Sequence, residues 1–121
     1  MRKCLVIDDN SNNRMVARFI MEDLGFTVEE VSAADEAAAL LLVEQFDVVL
    51  LDWMMPQMDG IDYLTRLRQD ERLRDVKVII CSAKERETNL ATVMRAGANG
   101  FLAKPLMVDV VEKQLKEVGV L

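Results

Sequence analysis

Five side chains in this 121-residue sequence have the types and spacing to do chemistry together: Asp8, Asp9, Asp52, Ser82 and Lys104. Each stands where a short apolar run stops. "KCLVI" leads into Asp8-Asp9, "FDVVLL" into Asp52, "VKVIIC" into Ser82 and "GFLA" into Lys104-Pro105. A carboxylate at the end of a buried strand is costly unless something pairs with it. Three carboxylates brought together repel: at ~4 Å and an effective dielectric near 20, each pair costs roughly 4 kcal/mol. They must share protons or hold a cation. The chain has no histidine, and its two cysteines, Cys4 and Cys81, lie inside apolar runs, so the ligands are all oxygen. That donor set favours Mg²⁺, Mn²⁺ or Ca²⁺. Lys104 supplies a point charge for an anion, and Ser82 a hydroxyl for a phosphate oxygen. A central carboxylate can be the nucleophile that forms an aspartyl phosphate. The constellation reads as a place where a phosphoryl group is received.

These residues meet only if the runs that precede them lie side by side, pointing the same way. The sequence predicts strands over 3–7, 26–31, 46–51, 76–81 and 100–103, each followed by a segment of helical period. Met15, Val16, Phe19, Ile20 and Leu24 are expected on one face of the first helix, which Gly25 ends. Residues 33–45 form an Ala- and Leu-rich second helix. Asp59-Gly60 opens a third, with Asp59 as its cap and Ile61, Leu64 and Leu67 on one side. A fourth runs through Leu90, Val93 and Met94 to Gly97, and a fifth carries Met107, Val110, Val111, Leu115 and Val118 in register. Strict alternation predicts an α/β fold, five βα units with a parallel sheet covered on both faces. In such sheets ligands bind outside the carboxyl ends of the strands, where all five residues stand. The second strand ends in Ser32 and Ala33, with nothing reactive.

Composition narrows the function further. A chain of this length suits one domain, residues 1–121, able to bury roughly two-thirds of its unfolded surface. The net charge of −6 argues against a nucleic-acid-binding surface. No apolar run approaches the length of a bilayer span, and "MRKCLVIDD" meets acids too early for a signal peptide. The cysteines read as small buried hydrophobes in a reducing, cytoplasmic setting. Asp47, Asp62 and Asp109 read as solvated or capping charges. Met54, Met55 and Met58 read as loop packing.

Five motifs, in order, then resemble those of a response-regulator receiver domain of two-component signalling: "VIDDN", "LLDWMMPQMDG", "IICSA", "FLAKP" and the aromatic Phe101 three residues before the lysine. The resemblance covers the whole chain and implies a flavodoxin-like, doubly wound five-stranded sheet of order 2-1-3-4-5. It implies Asp52 as phosphoacceptor and Mg²⁺ held by Asp8, Asp9, Asp52 and the backbone carbonyl of Met54, with Asp9 the more direct ligand of the acidic pair. Lys104 would hold the phosphoryl group, Ser82 would be the switch hydroxyl and Phe101 the aromatic switch. Lys104-Pro105 is expected to be cis. Met54 and Lys84 would flank the route of water to the phosphate. The implied partners are a histidine kinase or histidine phosphotransfer protein as donor and a downstream protein target, met through the face of the fourth helix, fifth strand and fifth helix. Such a protein is a bacterial, cytoplasmic signalling switch rather than an enzyme, here expected to be a monomeric, chemotaxis-type single-domain regulator without direct nucleic-acid or membrane contact.

Other readings fit less well. An aspartyl-nucleophile phosphatase of the haloacid-dehalogenase type wants a second acid two residues after the nucleophile, where this chain has Met54. A nucleotide-binding domain needs a Gly-rich loop after the first strand, where "DDNSNN" stands. A receiver-like scaffold that works without phosphorylation, and a receiver excised from a larger DNA-binding regulator, stay open at this point.

Overall fold

The computed structural model describes residues 2–56, 58–83 and 87–121, with the side chains of 87–89 set aside. Five parallel strands form one sheet in the order β2-β1-β3-β4-β5: β1 (Arg2–Ile7), β2 (Phe26–Val31), β3 (Val48–Asp52), β4 (Lys77–Ser82) and β5 (Gly100–Ala103). Between them run α1 (Ser11–Asp23), α2 (Ala34–Val43), α3 (Gly60–Gln69) and α4 (Glu87–Arg95); α5 (Val108–Glu117) follows β5. This is the expected α/β architecture with the expected strand order, and the Lys104-Pro105 bond is cis.

The central strands read as unbroken apolar runs because both of their faces are covered. Side chains alternate across the sheet. Leu5, Ile7, Val49, Leu51, Val78 and Ile80 join a core with Leu41, Tyr63, Leu64 and Val93 from α2, α3 and α4. Cys4, Val6, Val48, Leu50, Ile79 and Cys81 join a second core with Ala17, Ile20 and Met21 of α1 and Val111 and Leu115 of α5. Asp59 caps α3 as expected, its carboxylate accepting the Ile61 N–H at 2.8 Å.

Several expectations change. The third strand begins at Val48 rather than Phe46 and includes Asp52. Asp47 lies ahead of the ladder, its carboxylate accepting the Lys3 N–H at 2.7 Å and its own N–H donating to the Lys3 carbonyl at 2.9 Å. The face of α1 that meets the sheet is Ala17, Ile20 and Met21; Met15, Val16 and Phe19 are exposed, Phe19 by 74%. Small Ala17 lets the helix approach the strands, and the larger residues sit one step around the helix. On α5, Val111 and Leu115 are buried while Met107 and Val110 are about half exposed. Among the loop methionines, Met55 and Met58 pack on the core as expected, but Met54 is 57% exposed.

Candidate functional site

Strand register assembles the site. Ile7 pairs with Leu51, Asp52 with Cys81 and Ser82 with Ala103. Asp8, Asp52, Ser82 and Lys104 therefore reach the same rim. By the alternation of each strand, Asp8, Asp52 and Lys104 share the α1–α5 face with Val6, Leu50 and Leu102. Ser82 and Phe101 share the other face with Ile80; Phe101 is half-buried against that core.

The Lys104 ammonium ties the acids together. Its Nζ donates to Asp8 Oδ2 at 2.9 Å and to Asp52 Oδ1 at 3.0 Å, all three side chains being largely buried. The second oxygen of Asp8 accepts the Asn10 N–H at 2.9 Å. Asp9 is exposed. One carboxylate oxygen from each of Asp8, Asp9 and Asp52 lies within 4.8 Å of the others.

That donor set fits a small hard cation. It is all oxygen, anionic and open to water through Asp9, and Mg²⁺ is bound through one or two carboxylates with several waters retained. Burial pushes the Asp52 carboxyl above its ordinary range, by more than the Lys104 hydrogen bond and charge pull it down; the charges of Asp8 and Asp9 add to the rise. Burial alone would lower the Lys104 pKa, but its hydrogen bonds to Asp8 and Asp52, with their charges, more than reverse this. Asp52 is thus a carboxylate under electrostatic pressure, one that gains from a nearby cation.

Beside Asp52 lies a cavity of about 80 Å³, lined by Val16, Ala17, Leu50, Cys81 and Leu106 with Asp8, Asp52 and Lys104 at its polar end. Burial raises the Cys81 thiol to about 12, against the lowering effect of Lys104, so it stays a neutral lining group. Ser82 is buried at the end of β4. Its carbonyl accepts the Lys104 N–H at 2.8 Å, so the backbones carrying the hydroxyl and the ammonium are directly bonded. Lys84 lies outside the described residues.

Three supporting residues escape sequence reasoning. Asn10 both caps α1, accepting the Asn13 N–H at 3.0 Å, and donates to Asp8. An Asn just ahead of a helical pattern is a cap signal, but its bond to Asp8 has none. Arg14 donates from Nη1 to the Asp8 carbonyl at 2.7 Å, across a turn of helix that no motif marks. Gly60 is fixed by close approach: a Cβ there would overlap the Asp52 carbonyl oxygen and stand 2.9 Å from Trp53 Cα.

The comparisons with known proteins agree with this geometry. The response regulator receiver domain family matches residues 4–116. The chain is 33% identical over 117 residues to the chemotaxis protein CheY of Pseudomonas aeruginosa, covering 96% of this chain and 94% of that one. It is 32% identical to CheY-3 of Vibrio cholerae, covering 96% and 90%. Among solved structures, Vibrio cholerae chemotaxis protein CheY4 superimposes with a TM-score of 0.89 at 26% identity over 98% of both chains. The Francisella response regulator 1452 receiver domain gives 0.85 at 28%, covering 98% and 96%. Receiver domains are phospho-accepting signalling switches that generally bind Mg²⁺ at an acidic pocket and work with histidine kinases and downstream targets, and by motif, strand order and rim of acids this chain belongs to the response regulator receiver domain family.

Proposed function

We propose that Asp52 accepts a phosphoryl group from a partner phosphohistidine, and that this switches the face built by α4, β5 and α5 for binding a downstream protein. The observation that carries the reading is the Lys104 ammonium bridging Asp8 and Asp52 at one rim, with Asp9 within reach of both. A carboxylate oxygen of Asp52 attacks phosphorus, the P–N bond to the donor imidazole breaks, and that nitrogen keeps the electron pair. Asp8, Asp9, Asp52 and the Met54 carbonyl would hold Mg²⁺, which would supply charge neutralisation for the transfer. Lys104 binds a phosphoryl oxygen once Asp52 is phosphorylated. Ser82 takes another, and Phe101 follows it; the two lie on one face of neighbouring strands, which supports this coupling. The switch is local chemistry biasing a two-state element.

In this reading residues 1–121 are one receiver domain, a monomeric signalling protein rather than an enzyme, working in a reducing cytoplasm without nucleic acid or membrane. No helix among the described residues is long and apolar enough to cross a bilayer. The test is intact mass after incubation with Mg²⁺ and a small phosphodonor or a promiscuous histidine kinase. One phosphoryl group is expected on wild type, and none on Asp52→Asn or in chelator. Unmodified wild type with both donors would leave a phosphorylation-independent scaffold as the better reading.

A further inference from the structure

We propose that Arg14, braced by Glu30, is the positioning residue of the acidic loop: it fixes the peptide joining Asp8 to Asp9 and so sets how tightly Asp9 can hold a divalent cation. The inference rests on the reading of Asp8, Asp9 and Asp52 as a cation site.

Asp8 and Asp9 are held very differently. Both oxygens of Asp8 are engaged, one by Lys104 and one by the Asn10 N–H. The Asp9 side chain is exposed, so its reach is governed by the backbone that carries it. β1 ends at Ile7, and the Asp8 N–H still donates to the Val31 carbonyl of β2 at 3.2 Å. The peptide leading on into Asp9 is held by Arg14, whose Nη1 donates to the Asp8 carbonyl at 2.7 Å. The peptide is planar, so holding its oxygen fixes the amide from which Asp9 starts.

Arg14 is itself held. Its guanidinium is largely buried, and its Nε lies 3.4 Å from Glu30 Oε1. Glu30 stands on β2 opposite Val6, on the face that carries Phe26 and Val28 beneath α1. Its other oxygen is taken by Arg18 Nε, one helical turn beyond Arg14, and Arg18 Nη1 reaches Glu22 at 3.0 Å. A carboxylate rooted in one strand is thus clasped by two arginines, and one of them extends to the Asp8 carbonyl, just past the end of the neighbouring strand. The planar fork of arginine serves both ends at once; lysine, a point charge with one nitrogen, does not.

Charge and geometry make opposite claims here. Arg14 brings a positive charge close to a site meant for a cation, so by charge alone its removal would tighten metal binding. By positioning, its removal weakens binding, as loss of groups that orient metal ligands typically does by 10–100-fold.

The test titrates Mg²⁺ into the metal-free chain, followed by calorimetry and Trp53 fluorescence, for wild type, Arg14→Met, Arg14→Lys and Asp9→Asn. Amide hydrogen exchange at Asp9 and Asn10 is measured without metal. Arg14→Met is expected to bind Mg²⁺ about tenfold more weakly despite losing a positive charge, with faster exchange at those amides and unchanged exchange in β1. Arg14→Lys keeps the charge and is expected to weaken binding too; it carries the test if Arg14→Met does not fold. Equal or tighter binding in the folded arginine variants, with wild-type amide exchange, overturns the proposal. A wild type that ignores Mg²⁺, or an Asp9→Asn that binds like it, would instead sink the cation-site reading; amide exchange then still decides whether Arg14 holds the Asp8–Asp9 peptide.

Discussion

Asp52 shows at residue scale how function is set against stability. Burial holds its carboxyl above the ordinary range even with Lys104 bonded to it, and Asp8 and Asp9 press the same way. A raised pKa means that the fold holds the Asp52 proton more tightly than the unfolded chain does. The corresponding stability is fully present below the ordinary carboxylate value of about 3.9 and is lost as pH rises through the raised value. At neutral pH the charged side chain is a net cost to the metal-free fold. Asp52→Asn resembles the protonated acid and leaves Lys104 bonded to Asp8, so it is expected to raise the melting temperature at pH 7 in chelator. The gain should shrink toward zero near pH 3, where wild type is protonated in both states. Melting curves from pH 3 to 8 check this; a less stable Asp52→Asn at pH 7, or a gain independent of pH, contradicts it. The five site residues were legible because each interrupts an apolar strand with a polar type. Asn10 and Arg14 were not, because a bond to a neighbour's main chain leaves no mark in residue type or spacing.

Elements place those residues, and the best-read elements were those with the simplest physics. The central strands, apolar on both faces, were visible as runs, and Asp59 and Gly25 marked helix ends by local chemistry. The face of α1 was misread because Met15, Val16 and Phe19 outweigh Ala17 in hydrophobicity, while the sheet selects for close approach. The clasp formed by half-buried Arg68, donating to the carbonyls of Gly97, Leu73 and Arg74 and to Asn99 Oδ1, joins segments that no periodicity links. Gly60 is the element-level residue with the most direct bearing on the site. The first residue of α3 donates its N–H to the Trp53 carbonyl at 2.7 Å, which draws the helix start against the backbone of Asp52 and Trp53. An added methyl meets main chain, which cannot swing aside. Gly60→Ala is expected to cost about 1–3 kcal/mol as an overpacking substitution and to displace the loop that follows Asp52. Denaturant unfolding measures the cost, and the rate of phosphoryl uptake measures the displacement. Wild-type values for both would mean that α3 can move off the loop freely.

At the scale of the whole molecule, the acids gather into a candidate cation site only when the chain is folded. Asp8 and Asp9 follow β1 and Asp52 ends β3; the pairing of the two strands brings these segments together, and one oxygen from each acid lies within 4.8 Å of the others. The unfolded chain has no such cluster, so a divalent cation held there would bind the native state preferentially and stabilise it by RT ln(1 + [L]/Kd). At a hundredfold excess over Kd that amounts to about 2.7 kcal/mol, or roughly 10 °C for a domain of this size. The chain's net charge of −6 makes the control essential, since any salt screens self-repulsion. Specific binding predicts that MgCl₂ raises the melting temperature well beyond NaCl at matched ionic strength, and that chelator removes the difference. Asp9→Asn should separate the two terms further. It relieves repulsion and so should melt higher than wild type without metal, yet gain much less from Mg²⁺, because its exposed carboxylate is the one most free to ligate. A variant that gains as much from Mg²⁺ as wild type would show that the cation acts through the acidic surface at large rather than through the rim.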